Sequence, residues 1–217
     1  EISECLVGSE MCIRDSFNMV RGIIKSAPDI KDIDATPTGY LSTVLDNNEN
    51  EIATLVASGS NRVYVTIDEI PKDLQHAFVA IEDERFYDHN GIDLQGILRA
   101  GVRGITHGFH FSEGASTITQ QLLKNNVFTG WTSESSFSDK LERKLQEQYL
   151  AVQLEKSVSK DWILENYLNS INLGQNTLGV QSASRRYFNK DVSELNISES
   201  AVIAAITQNP SLSLIHI

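Results

Sequence analysis

The chain has 217 residues and a formal net charge of −11, a length that suits one domain with a sizeable core. That charge argues against nucleic acid as a partner and against a broad electrostatic hold on anionic lipid. Any basic patch must then be local, with Arg99, Arg103 and Lys124 as candidates. No apolar run reaches the ~18 residues that a membrane span needs, and no signal-peptide pattern is present.

Both ends read as foreign. Residues 1–16, above all Cys5 to Ser16, resemble translated sequencing-adapter read-through, and residues 211–217 resemble the same artefact. Setting these tails aside removes both cysteines, Cys5 and Cys12. Cysteine-free usage fits an extracytoplasmic protein without disulfides. Residues 17–70 are expected to form a connector and a β-hairpin. Pro28, Asp29, Asp32, Asp34 and Pro37 break up the connector. Tyr40 to Asp46 and Glu51 to Ala57 read as two strands around the turn from Asn47 to Asn50. Val63 to Ile67 reads as a further extended piece. Pro71 opens a helical domain expected over residues 71–210.

The first helical segment carries Leu74, Ala77, Phe78, Ala80 and Ile81 at roughly helical spacing. If it continues, Glu82, Phe86 and His89 share one face, and Gly91 stops it. Glu82 adjoins the apolar run, where partial desolvation makes a carboxylate a better general base. Asp83 and Arg85 are near enough to tune it. The loop from Arg103 to Glu113 holds His107, Phe109, His110 and Phe111. Two histidines without a third ligand are a weak metal signal. The phenylalanines suit either an ordinary loop or contact with lipid. Ser116 or Thr117 is placed to cap the next helix, with Thr119 and Gln120 in its first turns. Gln120, Gln121 and Lys124 put amides and an ammonium on adjoining faces, suited to a phosphate or a sugar. A long helix from about Ser138 to Ser157 shows a stripe of Leu141, Leu145, Tyr149 and Val152, with Arg143, Lys144, Glu147 and Glu155 off it. Gly179 to Phe188 reads as a small-residue helix. Ser198 is placed to cap a last helix that buries Ala201, Val202, Ala204, Ala205 and Ile206. Taken singly, each polar segment has a bland explanation as a solvated helix end, a capped helix or a surface ion pair.

Their order is the stronger signal. Glu82, Asp83, Phe86, His89 and Gly91 fill E-D-x-x-F-x-x-H-x-G. Gly114, Ser116 to Gln121 and Lys124 fill G-x-S-T-I-T-Q-Q-x-x-K. Arg143, Lys144, Glu147, Ala151, Leu154 and Glu155 form a third motif. Ile163, Leu164, Glu165, Tyr167, Leu168, Asn169 and Gly174 form a fourth, and Glu199, Ala201, Gln208 and Pro210 a weaker fifth. The set resembles glycosyltransferase family 51, the peptidoglycan glycosyltransferase domain of class A penicillin-binding proteins. The resemblance implies a mainly α, lysozyme-like, two-lobed domain with a small N-terminal β-hairpin element. It implies a transferase that polymerises lipid II into β-1,4-linked glycan strands with inversion, releasing undecaprenyl pyrophosphate, at the extracytoplasmic face of the bacterial cytoplasmic membrane.

The resemblance also distributes roles. Glu82 is expected to be the general base and Glu147 the second essential carboxylate. Lys124 would neutralise pyrophosphate. Ser116, Thr119, Gln120 and Gln121 would line the donor side, joined by Arg143 and Lys144, while Tyr167 and Asn169 support the cleft within the same substrate-binding set. Asp83, Phe86, His89, Gly91 and Gly114 would organise the motifs. A divalent cation such as Mg²⁺ is expected at the pyrophosphate, near Glu147, with no organic cofactor. Expected partners are lipid II, the growing glycan strand, the membrane surface, moenomycin-type inhibitors and other cell wall synthesis proteins. Two departures stand out: Asp139 replaces a common family arginine, with Lys140 beside it, and Ala115 replaces a glycine. A lysozyme-like lytic enzyme and a non-catalytic binding fragment are the competing readings. Gln120, Gln121, Lys124, Lys144 and Glu147 favour a pyrophosphate substrate over lysis. Family members also carry an N-terminal membrane anchor, and the run from Ala57 to Arg62 looks more like the bifunctional type.

Overall fold

The computed structural model describes residues 2–55, 61–106, 114–128, 136–175 and 177–208. Among these it contains eight α-helices and one two-stranded sheet. This meets the expectation of a mainly α domain with a small hairpin, consistent with a lysozyme-like architecture. The expected readings at residues 56–57, 107–113 and 209–217 lie outside the described residues.

Helix α1 runs from Ile2 to Ser26, so the segment expected to be a connector from residue 17 is helical for its first part. Val20, Ile23 and Ile24 are half-buried at helical spacing, and the helix end meets the helix that carries Gln146 through Ser26, which accepts from Gln146 Nε2 at 3.1 Å. The connector begins at Ala27, where Pro28 disfavours further helix. Strands β1 (Ser42–Leu45) and β2 (Glu51–Leu55) pair antiparallel, with Ser42 opposite Leu55. Strand β1 is shorter than the expected Tyr40 to Asp46. Asp46 makes the turn by accepting from the backbone N–H of Asn48 at 2.7 Å and of Asn50 at 2.9 Å, as Asx turns do.

The extended piece at residues 63–67 is tied to a central helix, α6 (Lys160–Ser170). Asn169 accepts from Val65 N at 3.0 Å and donates to Val65 O at 2.8 Å. Glu165 accepts from Ile67 N at 2.6 Å. Helix α6 is buried nearly all round. Ile163, Leu164, Tyr167 and Leu168 have no exposure, and each such side chain contributes roughly 1.5–3 kcal/mol. The helix packs on α4 (Ile118–Asn126) and α7 (Val180–Phe188), and its Tyr167 meets Phe78 of α2 (Lys72–Glu82); α3 (Leu94–Thr106), α5 (Phe137–Leu154) and α8 (Ile197–Ala205) are the other helices of the domain. Helix α4 packs on α5 and α6, and α2 packs on α8.

Two helical phases differ from expectation. In α5 the buried line is Glu147, Leu150, Ala151 and Leu154, whereas Leu141, Leu145, Tyr149 and Val152 are exposed or half-buried. A carboxylate occupies a core position because its charge is met by Arg143 and Lys144 on the same helix. In α8 the cap is Asn196, not Ser198. Asn196 and Glu199 form a reciprocal capping box. The buried set becomes Ser200, Ile203, Ala204 and Ile206, while Ala201 and Val202 are exposed.

Candidate active site

Helix α2 ends at Glu82 instead of running on to Gly91. Asp83 leaves the helix at φ −159°, ψ 72° and turns its carboxylate inward. There it accepts from Ile118 N, the first residue of α4, at 3.0 Å and meets His89 Nε2 at 3.0 Å. The pull of this buried cap unwinds the chain, so Glu82, Phe86 and His89 do not share a helical face. Phe86 enters the core with no exposure. Gly91 closes the turn at φ +86°, where an added Cβ would lie 2.6 Å from the Ala151 carbonyl, so only glycine fits. Its carbonyl accepts from Thr117 Oγ1 at 2.8 Å and from Gln120 Nε2 at 3.2 Å.

Helix α4 divides its polar residues between the interior and a cavity. Thr117 is the cap, accepting from Gln120 N at 3.2 Å. Thr119 and Gln120 are buried, and Thr119 donates to Glu155 at 2.5 Å. The motif leads one to expect both against substrate, but they sit beneath the surface and join elements together. Tyr167 and Asn169 are likewise buried. Asn169 clamps the 63–67 segment, and the Tyr167 hydroxyl donates to Gln121 Oε1 at 3.3 Å. Residues that face the cavity and residues that hold the fold alternate along one motif, because a helix turns each successive side chain by about 100°.

Gln121 and Lys124 are on the open side. Gln121 Nε2 donates to Glu82 Oε2 at 2.8 Å. Both line a cavity of about 620 Å³ with Glu82, Ile81, Arg99, Arg103, Gly114, Ser116 and Gln208. A smaller one of about 160 Å³ adjoins it and shares Glu82, Gly114 and Ser116. A Cβ at Gly114 would meet nothing within 4 Å, so this glycine is not required by packing. Burial holds the Lys124 ammonium below its ordinary pKa, and the charges of Lys144 and Arg143 add to this, while Glu147 and Glu82 oppose it. Lys124 therefore lies in the field of both candidate carboxylates.

Glu147 has no exposure. One oxygen pairs with Arg143, the other with Lys144 at 3.1 Å. Lys144 also donates to Ser116 Oγ at 2.7 Å, which ties α5 to the cavity edge. With one oxygen on Arg143 and the other on Lys144, Glu147 as placed offers no free carboxylate oxygen to a divalent cation. Asp139 and Lys140, the departure from the family pattern, are exposed in the first turn of α5. Neither lines the cavity.

Arg85, expected to tune Glu82, finds other carboxylates, and Lys160 has no place in the sequence reading. Arg85 pairs with Asp93 at 2.6 Å and with Glu84, and the guanidinium draws the Asp93 carboxyl down to about 2. Lys160 sits 4.3 Å over the Phe86 ring and 2.7 Å from Glu155. A lysine at the first position of a helix opposes the helix dipole, and that misfit is the available signal of a specific partner.

The family model described as Transglycosylase matches residues 48–215. Penicillin-binding protein 1A of Clostridium acetobutylicum is 45% identical over 198 residues, covering 89% of this chain and 24% of its own length. Penicillin-binding protein 1A of Clostridium perfringens is 43% identical over 88% of this chain and 28% of its own. Penicillin-binding protein 1F of Bacillus subtilis is 46% identical over 78% and 22% respectively. The chain thus spans about a quarter of the length of the curated relatives it matches. It belongs to the transglycosylase family.

Proposed function

We propose that this member of the transglycosylase family is a glycosyltransferase that polymerises lipid II into peptidoglycan strands during cell wall biogenesis. The observation that carries this reading is one cavity in which a carboxylate, Glu82, shares walls with Lys124, Arg99 and Arg103. A base and a cationic wall are what transfer from a lipid pyrophosphate needs.

In this reading Glu82 takes the proton from the acceptor sugar's 4-hydroxyl as that oxygen attacks the donor's anomeric carbon. The bond to pyrophosphate breaks, and undecaprenyl pyrophosphate leaves with the bonding electrons. One displacement inverts an α-linked donor to a β-1,4 product and needs no enzyme nucleophile. Lys124 stabilises the negative charge that builds on the leaving group, helped by the arginines of α3. Glu147 acts at one remove: it holds Arg143 and Lys144, and Lys144 holds Ser116. Lysis of finished glycan would leave the cationic wall without a substrate charge to meet.

Among the described residues no helix is long and apolar enough to cross a membrane. The proposed place of action is the extracytoplasmic membrane surface, where the lipid-linked substrate is presented. The test is lipid II turnover in detergent, wild type beside Glu82→Gln, resolved by glycan length. Polymer from wild type alone supports the reading and the role of Glu82 together. Equal polymer from both sinks the base assignment. Tight moenomycin binding with no polymer from either points to a binding-competent cleft without turnover.

A further inference from the structure

Gln121 and Tyr167 make contacts that suit a different task from lining the donor side. Gln121 Nε2 donates to Glu82 Oε2 at 2.8 Å, and Tyr167 donates to Gln121 Oε1 at 3.3 Å. We propose that Tyr167 and Gln121 form a relay that aims the general base, fixing which oxygen of Glu82 receives the acceptor's proton. This rests on the reading of Glu82 as that base.

A carboxamide has a donor end and an acceptor end and fits either way round. Reversed, the Gln121 oxygen would face a Glu82 oxygen, two acceptors in contact. Tyr167 decides against that orientation. Its side chain is fully buried and packs edge-on against Phe78 at 6.2 Å between ring centres. Burial, together with the charges of Glu82 and Asp83, pushes the phenol well above its ordinary pKa, so it remains an O–H donor. It donates to the Gln121 oxygen and turns the amide nitrogen toward Glu82. With Oε2 so engaged, Oε1 is the oxygen left to take the proton, and general-base transfer needs that atom within hydrogen-bond reach of the hydroxyl. Tyr167 lines neither cavity; it is a positioning residue that acts through Gln121.

The test is a kinetic cycle on the full chain with lipid II: Gln121→Met, Tyr167→Phe and the double variant. A misaimed base costs up to about a hundredfold, so Gln121→Met is expected to lower kcat about 10–100-fold at unchanged KM. Tyr167→Phe should lower kcat by a smaller factor, about 3–10-fold, and cause no further loss when added to Gln121→Met. A purely structural tyrosine would instead multiply the two losses. A raised KM at unchanged kcat in Gln121→Met would make that residue a substrate contact. Either result overturns the relay. A second readout needs no activity: the side-chain amide resonances of Gln121, assigned by their loss in Gln121→Met, should move in both Tyr167→Phe and Glu82→Ala. Resonances unmoved in either variant overturn the relay as well. If wild type makes no polymer, the glycosyltransferase reading fails, and the amide resonances alone decide whether the relay exists.

Discussion

Replacing Lys160 by methionine removes one charge from a knot of four chain segments and keeps most of the side chain's apolar stem. Lys160 begins α6, Phe86 lies in the turn that follows α2, Glu155 caps the end of α5, and Thr119 lies in the first turn of α4. The 2.7 Å approach of Lys160 to Glu155 is a charge contact without hydrogen-bond alignment. Two losses are expected. The cation over the Phe86 ring contributes about 1 kcal/mol. Glu155, only 3% exposed, is left with the Thr119 hydroxyl alone, and removing one partner of a buried pair costs about 3–5 kcal/mol. Lys160 is 23% exposed, so solvent screening lowers the pair's share to about 2 kcal/mol and the total to about 3 kcal/mol. For a chain of this size that lowers Tm by roughly 6–12 °C. The assay is urea unfolding of wild type, Lys160→Met, Glu155→Gln and the double variant. The neutral amide that Glu155→Gln introduces needs no counter-charge, so the double variant should recover about 2 kcal/mol relative to the sum of the single changes. A loss below about 1 kcal/mol in Lys160→Met, or additive single changes, would refute the reasoning.

Glu82→Gln should lower polymerisation about 10²–10⁴-fold, as loss of a general base does, while moenomycin affinity is kept; turnover assays beside equilibrium binding check both halves. Lys124→Ala should weaken moenomycin and lipid II binding and slow turnover, and unchanged affinity would remove its phosphate role. Gly91→Ala should destabilise by more than about 1 kcal/mol through positive φ alone, and further through the 2.6 Å approach to Ala151; a neutral result in urea unfolding would contradict the turn geometry. Asp93, drawn down to about 2 by Arg85, has a folded pKa below its unfolded value. Its contribution is therefore complete above about pH 4 and lost as pH falls toward about 2. Asp93→Asn should flatten the acid limb of stability, read from unfolding midpoints across that window.

The order and spacing of the polar motifs are legible along the chain, and so are the helices that carry them. The departures have a common physical source. Helical phase counted from apolar residues puts Glu147 off the buried stripe of α5. Its charge is met by Arg143 and Lys144, however, and it behaves as a core residue. The same count carries α2 past Asp83, whose partner is the backbone of Ile118, 35 residues later. No local pattern reports a cap made at that distance. Asn196 and Glu199, by contrast, are a capping box within four residues and are readable as such. Thr119, Gln120 and Asn169 show the limit for function: a motif names residues that belong together, and only packing separates those that meet a ligand from those that hold the residues that do.

The two candidate carboxylates illustrate that separation. Glu147 is fully buried, and two cations on its own helix occupy both its oxygens. Taking a proton there would break two ion pairs in a place water does not reach, each break leaving a poorly solvated charge. Glu82 is half-buried at the end of α2, borders both cavities and is held through one oxygen by a neutral amide. It can gain a proton on the other oxygen without disturbing that bond. Equal in chemistry, the two differ in their contacts, and in the proposed function that difference gives proton transfer to Glu82 and the ordering of the cationic wall to Glu147. The assignment makes the effect of Glu147→Gln specific. Arg143 and Lys144 would lose their common anchor, so donor affinity should fall together with turnover, whereas Glu82→Gln should leave donor affinity intact. Identical behaviour of the two variants in moenomycin binding would erase the distinction.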